Sequence, residues 1–303
     1  MFRPVQTIKE KTGVFVALTG TSNAGKTWSA LELATGLASN GRIAVLDTEG
    51  GRTVHLKHAF DFDVDIMGAP FSPGEFAKAA IEAENAGYAC LLIDSFSQEW
   101  VGEGGVLSMQ QQEVERGMKG VATWAKPKSA HKAMVNSLLQ RRIPIVFSIR
   151  GEKGVKPAEN PREQPTPYYK SLTDKSLPFE MTIAFRLDPA RKGYIDLSDA
   201  GAYKLEGAHA EIFKDGERLS RAMGEQLRNW WLGLETPSGS DIVDHFLSEG
   251  NEAAARGSDA LKAFWGRLTP AEKKLAGGAE SLTRWKNIAA ESDKQIAAED
   301  VSA

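Results

Sequence analysis

Four runs along the chain, at residues 14–18, 43–46, 90–93 and 143–149, are almost continuously apolar and rich in β-branched side chains. A strand buried on both faces shows no polar alternation, so these runs predict strands of a parallel sheet. Between them the apolar period changes to that of a helix. Ala30, Leu31, Leu33, Ala34 and Leu37 share one helical face, and residues 73–86 form a second helix with Ser72 as N-cap. Strand alternating with helix predicts an α/β fold, a mostly parallel twisted sheet flanked by helices. A third strand is expected at 63–67, and a hairpin at 180–187 and 192–197, joined by Asp188-Pro189-Ala190-Arg191. Residues 108–142 are polar and mostly helical, with breaks near Gly117, Gly120 and Pro127. Residues 203–214 look strand-rich, and 219–234 form an amphipathic helix whose Trp230 and Trp231 suit packing.

Thr236-Pro237-Ser238-Gly239-Ser240 has the composition of a linker. Beyond it, apolar groups at Ile242-Val243-Phe246-Leu247, Leu261-Phe264-Trp265-Leu268 and Leu282-Trp285-Ile288-Ala289 mark three short amphipathic helices. Thr269-Pro270-Ala271-Glu272 starts a further turn, with Pro at the first helical position. The expected division is therefore a domain over 1–235, a linker over 236–240 and a small helical module over 241–303. The tail carries more acidic than basic residues and suits a protein contact.

Net charge is −3 over 303 residues, so any nucleic-acid contact has to come from a local patch. No apolar run reaches the roughly 20 residues that cross a bilayer. The opening MFRPVQTIKEKTG lacks a signal-peptide core, which predicts a cytoplasmic protein. The single cysteine, Cys90, lies within an apolar run and suits a buried, inert thiol. The five histidines have no zinc-type spacing.

The chemistry concentrates after the first strand. Gly20-Thr21-Ser22-Asn23-Ala24-Gly25-Lys26-Thr27 fits G-x-x-x-x-G-K-[ST] without mismatch, between a strand and a helix. The two glycines let the backbone turn tightly and approach an anion. The loop N–H groups and the helix N-terminus then face a phosphate. Lys26 is placed to reach the β- and γ-phosphates of ATP, and the Thr27 hydroxyl to take one Mg²⁺ position. The second strand ends in Asp47-Thr48-Glu49-Gly50-Gly51, at the sheet edge where such folds bind ligands. Glu49 is the candidate to orient or deprotonate the attacking water, with Asp47 structural or an outer partner of the metal. The run CLLIDS places Asp94 at a strand end as the second Mg²⁺ position.

Two more stretches lie at the same edge. The loop FSQEWVGEGG carries Glu99 and an exposed-looking Trp100, suited either to a partner or to packing on the core. The last long strand ends at Ser148-Ile149-Arg150, where Ser148 or Arg150 can report hydrolysis, and Arg150 or Lys153 can reach a neighbouring subunit. Residues 151–178 are rich in Pro and in both charges, which predicts a mobile loop. Its Lys153, Lys156, Arg162, Tyr168, Tyr169 and Lys170 interleave cations with aromatic rings. That mixture suits single-stranded nucleic acid, although Glu152, Glu159, Glu163 and Asp174 cancel much of the charge.

Taken in order, GTSNAGKT, DTEGG, CLLIDS and IVFSIRGEKG resemble the RecA-type branch of P-loop ATPases, over roughly residues 10–235. Glu49 matches the place where RecA-like ATPases keep their catalytic glutamate. Ile149-Arg150 is similar to the end of the strand that leads into the RecA DNA-binding loop. RecA has a glutamine where Ser148 stands, so coupling between nucleotide and DNA is expected to differ. More narrowly, the chain is similar to compact phage RecA-like ATPases that act in recombination with a single-strand-binding protein. The resemblance implies a RecA-like P-loop core, ATP hydrolysis with Mg²⁺, handling of single-stranded DNA, and self-association in a ring or filament. The rival reading is an ATP-gated assembly or loader protein that holds a protein partner without touching DNA. A small-molecule kinase is disfavoured by the lack of an Arg-rich lid.

Overall fold

The computed structural model describes residues 12–156, 166–199, 203–234 and 239–302. It divides into two compact units, residues 1–234 and 235–303.

In the first unit, β1 (Phe15–Gly20), β2 (Ile43–Asp47), β3 (Asp63–Ile66), β4 (Cys90–Asp94), β5 (Ile145–Lys156), β7 (Ile183–Leu187) and β8 (Ile195–Asp196) form a sheet of order β3-β2-β4-β5-β1-β7-β8. All neighbours are parallel except β7 and β8. The α/β arrangement expected from the sequence, a mostly parallel sheet flanked by helices, is what forms. Strand β1 lies between β5 and β7, so β5 separates the P-loop strand from β4. In register, Asp47 stands opposite Asp94, and Asp94 opposite Ser148. Three residues read as chemical in the sequence thus lie at one level on adjacent strands, Asp47 and Asp94 at strand ends and Ser148 within β5.

Helices α1 (Lys26–Ala38), α2 (Pro73–Asn85), α3 (Ser97–Val101), α4 (Val106–Glu115), α5 (Ala125–Leu139), α6 (Leu177–Glu180), α7 (Ala208–Ile212) and α8 (Arg221–Leu232) complete this unit. Leu31, Leu33 and Leu37 of α1 with Met223 and Leu227 of α8 bury one face of the sheet. Phe76 and Ala80 of α2 with Met134 and Leu138 of α5 bury the other. Cys90 is fully buried between strands, and burial pushes its thiol well above the ordinary value.

Helices α1 and α8 cross closely through Gly36 and Gly224. A Cβ on Gly36 would lie 2.2 Å from the Arg221 carbonyl, and one on Gly224 would lie 2.4 Å from the Leu33 carbonyl. Gly36→Ala gains helix propensity but forces the two backbones apart. The expected net loss is about 2 kcal/mol, read as a fall in Tm of roughly 5 °C by calorimetry.

Several expectations need correction. Residues 97–101 are a helix rather than a loop. Glu99 is wholly buried, with His131 Nδ1 2.9 Å from its carboxylate, and Trp100 packs on Trp124. Residues 203–214 hold α7 and one isolated bridge, Ala184 to Lys204, because the chain turns back onto α8 instead of extending the sheet. The segment 151–178 is not simply a loop. Strand β5 runs on past the sheet to Lys156, and β6 (Thr166–Ser171) pairs with it antiparallel. Main-chain pairing between the two arms supplies order that the Pro-rich composition does not suggest. Arg162 lies outside the described residues.

The second unit contains α9 (Gly239–Ala255), α10 (Ser258–Arg267), α11 (Pro270–Leu275) and α12 (Gly278–Ser302). Trp285 is its fully buried centre. It meets Phe264 edge-on at 5.8 Å and donates from Nε1 to Asn251 Oδ1 at 2.8 Å. Thr269 and Glu272 form a reciprocal capping box around Pro270. Helix α12 is long, where the sequence suggests short helices.

Candidate nucleotide and metal site

The crevice at the carboxyl ends of β1, β2, β4 and β5 encloses about 640 Å³. Its walls include Ser22, Asn23, Gly25, Lys26 and Thr27 of the loop, with Glu49, Asp94 and Arg150 from the other strand ends. That volume lies within the range of small-ligand sites.

The loop is built for close approach. Gly25 has φ +86°, and a Cβ there would lie 2.9 Å from the Gly193 nitrogen. Gly193 N–H donates to the Ala24 carbonyl at 2.9 Å, so the turn between β7 and β8 braces the loop from behind. Helix α1 starts at Lys26 with no capping side chain and no acidic residue in its first turn. Such an N-terminus favours an anion. The Lys26 ammonium folds back on the loop, with Nζ donating to the Thr21 carbonyl at 2.9 Å. Burial pulls its pKa below the ordinary lysine value, against the raising effect of Asp94 and Glu49, and Arg150 adds to the lowering.

Thr27 Oγ1 donates to Asp94 Oδ2 at 2.5 Å. Burial raises the Asp94 carboxyl above its ordinary value, opposed by the Ser148 and Thr27 hydroxyls; nearby Glu49 raises it further and Lys26 lowers it. Ser148 Oγ, itself buried, stands near this carboxylate without meeting strict hydrogen-bond geometry. Threonine hydroxyl and carboxylate are hard oxygen donors, the set that suits Mg²⁺ completed by water and phosphate oxygens. Among the described residues no group of three His, Cys, Asp or Glu side chains is placed to hold a metal alone.

The turn after β2 is held by Asp47. This wholly buried carboxylate accepts from the N–H groups of Glu49 (2.8 Å), Gly51 (3.1 Å) and Thr53 (2.8 Å), and from Thr53 Oγ1 (2.6 Å). Its role in the fold is to fix the loop that presents Glu49. Burial pushes its pKa up, but the bonds from Thr53, Glu49 and Gly51 outweigh burial and hold it below the ordinary value. A depressed folded pKa contributes stability that is present above the unfolded value, near 3.8, and lost as pH falls through the folded one. Asp47→Ala strands the buried Thr53 donors and is expected to cost about 2–4 kcal/mol at pH 7. The cost should shrink below about pH 4 in urea melts. A pH-independent cost would contradict this account.

Glu49 is engaged on both oxygens. Arg150 Nε donates to Oε1 at 2.7 Å, and Arg52 donates to Oε2 at 2.9 Å. The backbone N–H of Arg150 is held by Ser97 Oγ at 2.9 Å. Lys26, Thr27, Glu49, Asp94 and Arg150 thus converge on one crevice.

Of the residues read as nucleic-acid contacts, Lys153 and Lys156 lie on β5, and Tyr168, Tyr169 and Lys170 on β6. Lys153 pairs with Tyr169 through the main chain, and Lys170 is exposed. The side chains of Lys153, Lys156, Tyr168 and Tyr169, like the whole of Arg162, are outside the described part.

Four wall residues were not anticipated from the sequence, Trp28, Arg52, Leu56 and Leu172. Trp28 follows the P-loop directly, half-exposed and edge-on to Phe60 at 4.9 Å. Arg52, Leu56 and Leu172 complete the rim. Only Trp28 had a legible signal, an aromatic on the polar side of the helix that opens at Lys26.

The sequence profile of the family described as AAA domain matches residues 12–188, the stretch that carries this crevice. The chain belongs to that family. Among solved structures it is similar to the RadB recombinase, at 18% identity over 58% of this chain and 75% of that one, with a TM-score of 0.32. It is also similar to a KaiC-like protein of Pyrococcus horikoshii OT3, at 12% identity over 53% of this chain and 78% of that one, with a TM-score of 0.30. Likeness at that level carries nothing about substrate or partner. No curated protein matches the chain. No helix among the described residues is long and apolar enough to cross a membrane.

Proposed function

We propose that this AAA-domain protein is a Mg²⁺-dependent ATPase that acts on single-stranded DNA in recombination, of the compact phage RecA-like kind. In this reading the loop amides of residues 20–27 and Lys26 bind the triphosphate, and Thr27 and Asp94 hold Mg²⁺. Held there, Mg²⁺ would supply charge neutralisation for the phosphate oxygens. Glu49 orients and deprotonates water, Arg150 acts beside it, and residues 1–235 form the ATPase unit, with 241–303 a helical module beyond the linker 236–240. Self-association and a single-strand-binding partner belong to the same reading.

The observation that carries the link to DNA is the Arg150–Glu49 ion pair at the root of the β5–β6 ribbon. Glu49, the residue assigned to water in this reading, is tied to Arg150, and Gly151 begins the ribbon that bears Lys153, Lys156, Tyr168, Tyr169 and Lys170. A contact that moves the ribbon has a short route to Glu49.

The test is fluorescence anisotropy of a labelled 30-nucleotide oligo-dT with ATP, ADP or no nucleotide. Binding that tightens with ATP and weakens steeply with salt supports this reading. No binding in any nucleotide state would shift the reading to an ATPase that loads or assembles a protein partner.

A further inference from the structure

A larger cleft of about 940 Å³ opens in the first unit between α4, α5 and the segment after β6, and shares no residue with the nucleotide crevice. Its apolar wall comes from Trp100, Val114, Met118, Val121 and Trp124. Val121 is 87% exposed, on a short helical turn that is itself pinned. Gln110 Nε2 donates to Thr123 Oγ1 at 3.0 Å, and that hydroxyl donates to the Gly120 carbonyl at 2.8 Å. Val114 and Met118 are each 42% exposed. A fixed turn that presents aliphatic groups to water is a preformed surface for an apolar side chain.

The rim is basic. Lys119, Lys128, Lys170 and Lys175 border the cleft, against a single carboxylate, Asp174, which lies 3.9 Å from Lys128. Two classes of ligand answer to cations around apolar groups, and the rings separate them. Trp100 and Trp124 stack on each other, centroids 6.2 Å apart and planes 20° from parallel. His131 packs edge-on to Trp100, and Lys128 Nζ lies 6.0 Å from the centre of Trp124. Indoles so occupied are poor platforms for bases, which need a free face. The aliphatic wall instead suits a Leu or Phe anchor, with flanking carboxylates meeting the lysines.

We propose that this cleft is a docking site for an acidic peptide segment with an apolar anchor, borne by a partner protein. The proposal rests on charge complementarity and the apolar wall, and not on how the nucleotide crevice functions.

Four labelled probes test it by fluorescence polarisation at low salt: the peptide Asp-Glu-Leu-Phe-Asp-Glu-Leu, its version with Lys at every acidic position, its version with Ser at every apolar position, and a 15-nucleotide oligo-dT. The acidic, apolar peptide is expected to bind with Kd on the order of tens of micromolar, and the two altered peptides at least about tenfold more weakly. Val121→Asp and the double variant Lys119→Glu/Lys175→Glu change only exposed side chains. Each should weaken the first peptide by about tenfold or more while leaving binding of a fluorescent ATP analogue unchanged. Absence of peptide binding, preference for the basic peptide, or full affinity in both variants would overturn the proposal. So would oligo-dT that displaces the peptide and itself loses affinity in the same variants, because the cleft would then be a nucleic-acid site.

Discussion

Lys26→Ala should abolish ATP hydrolysis and weaken ATP binding by at least about 100-fold, with the fold intact. The fold should survive because the ammonium makes one hydrogen bond among the described residues, to the Thr21 carbonyl. Function should not, because Lys26 is the cation at the end of a loop whose other donors are backbone amides. Its burial disfavours the charged form, and an arriving triphosphate stabilises that form by direct attraction. Lys26→Arg should fail nearly as badly, since a planar guanidinium cannot replace a compact ammonium beside Gly25 and Thr21. Isothermal titration with ATP, alongside a thermal melt, checks both halves. Wild-type ATP affinity in the alanine variant would contradict the assignment.

Glu49→Gln is expected to separate binding from turnover. The amide keeps the shape of the side chain but cannot accept a proton from water, so kcat should fall by about 10²–10⁴. ATP affinity should hold or rise. One cost is built in: the ion pairs with Arg150 and Arg52 become neutral–charged hydrogen bonds. Arg52 is mostly exposed, so its pair is worth little. Arg150→Ala therefore serves as the companion variant. It frees one carboxylate oxygen without removing the base. Single-turnover hydrolysis of prebound ATP measures the chemical step in each. Undiminished hydrolysis by Glu49→Gln would remove Glu49 from the role of base.

The parts of this site legible in the sequence are those written locally. The P-loop, its strand and its helix lie within 25 consecutive residues, 14–38, and the apolar runs 43–46 and 90–93 each end at an acid, Asp47 and Asp94. Asp94 follows four buried residues of β4, so its level in the sheet is fixed by the strand itself. What stayed hidden depends on partners distant in sequence. Glu49 and Arg150 are 101 residues apart and meet because β4 lies between β2 and β5. Glu99 was legible only as a loop residue, because its buried place depends on α5 bringing His131 against it. Strand β6 is made by main-chain pairing with the extension of β5, and the strand preference of Thr166, Tyr168 and Tyr169 is hidden by Pro167 and the Pro-rich, charged sequence before it.

Steady-state ATP hydrolysis with Mg²⁺, with and without single-stranded DNA at low salt, and beside Lys26→Ala, tests the central claim most directly. The account predicts hydrolysis that rises when DNA is added and disappears in the variant. Absence of hydrolysis by the wild-type protein in either condition, or turnover that persists in Lys26→Ala, would contradict it.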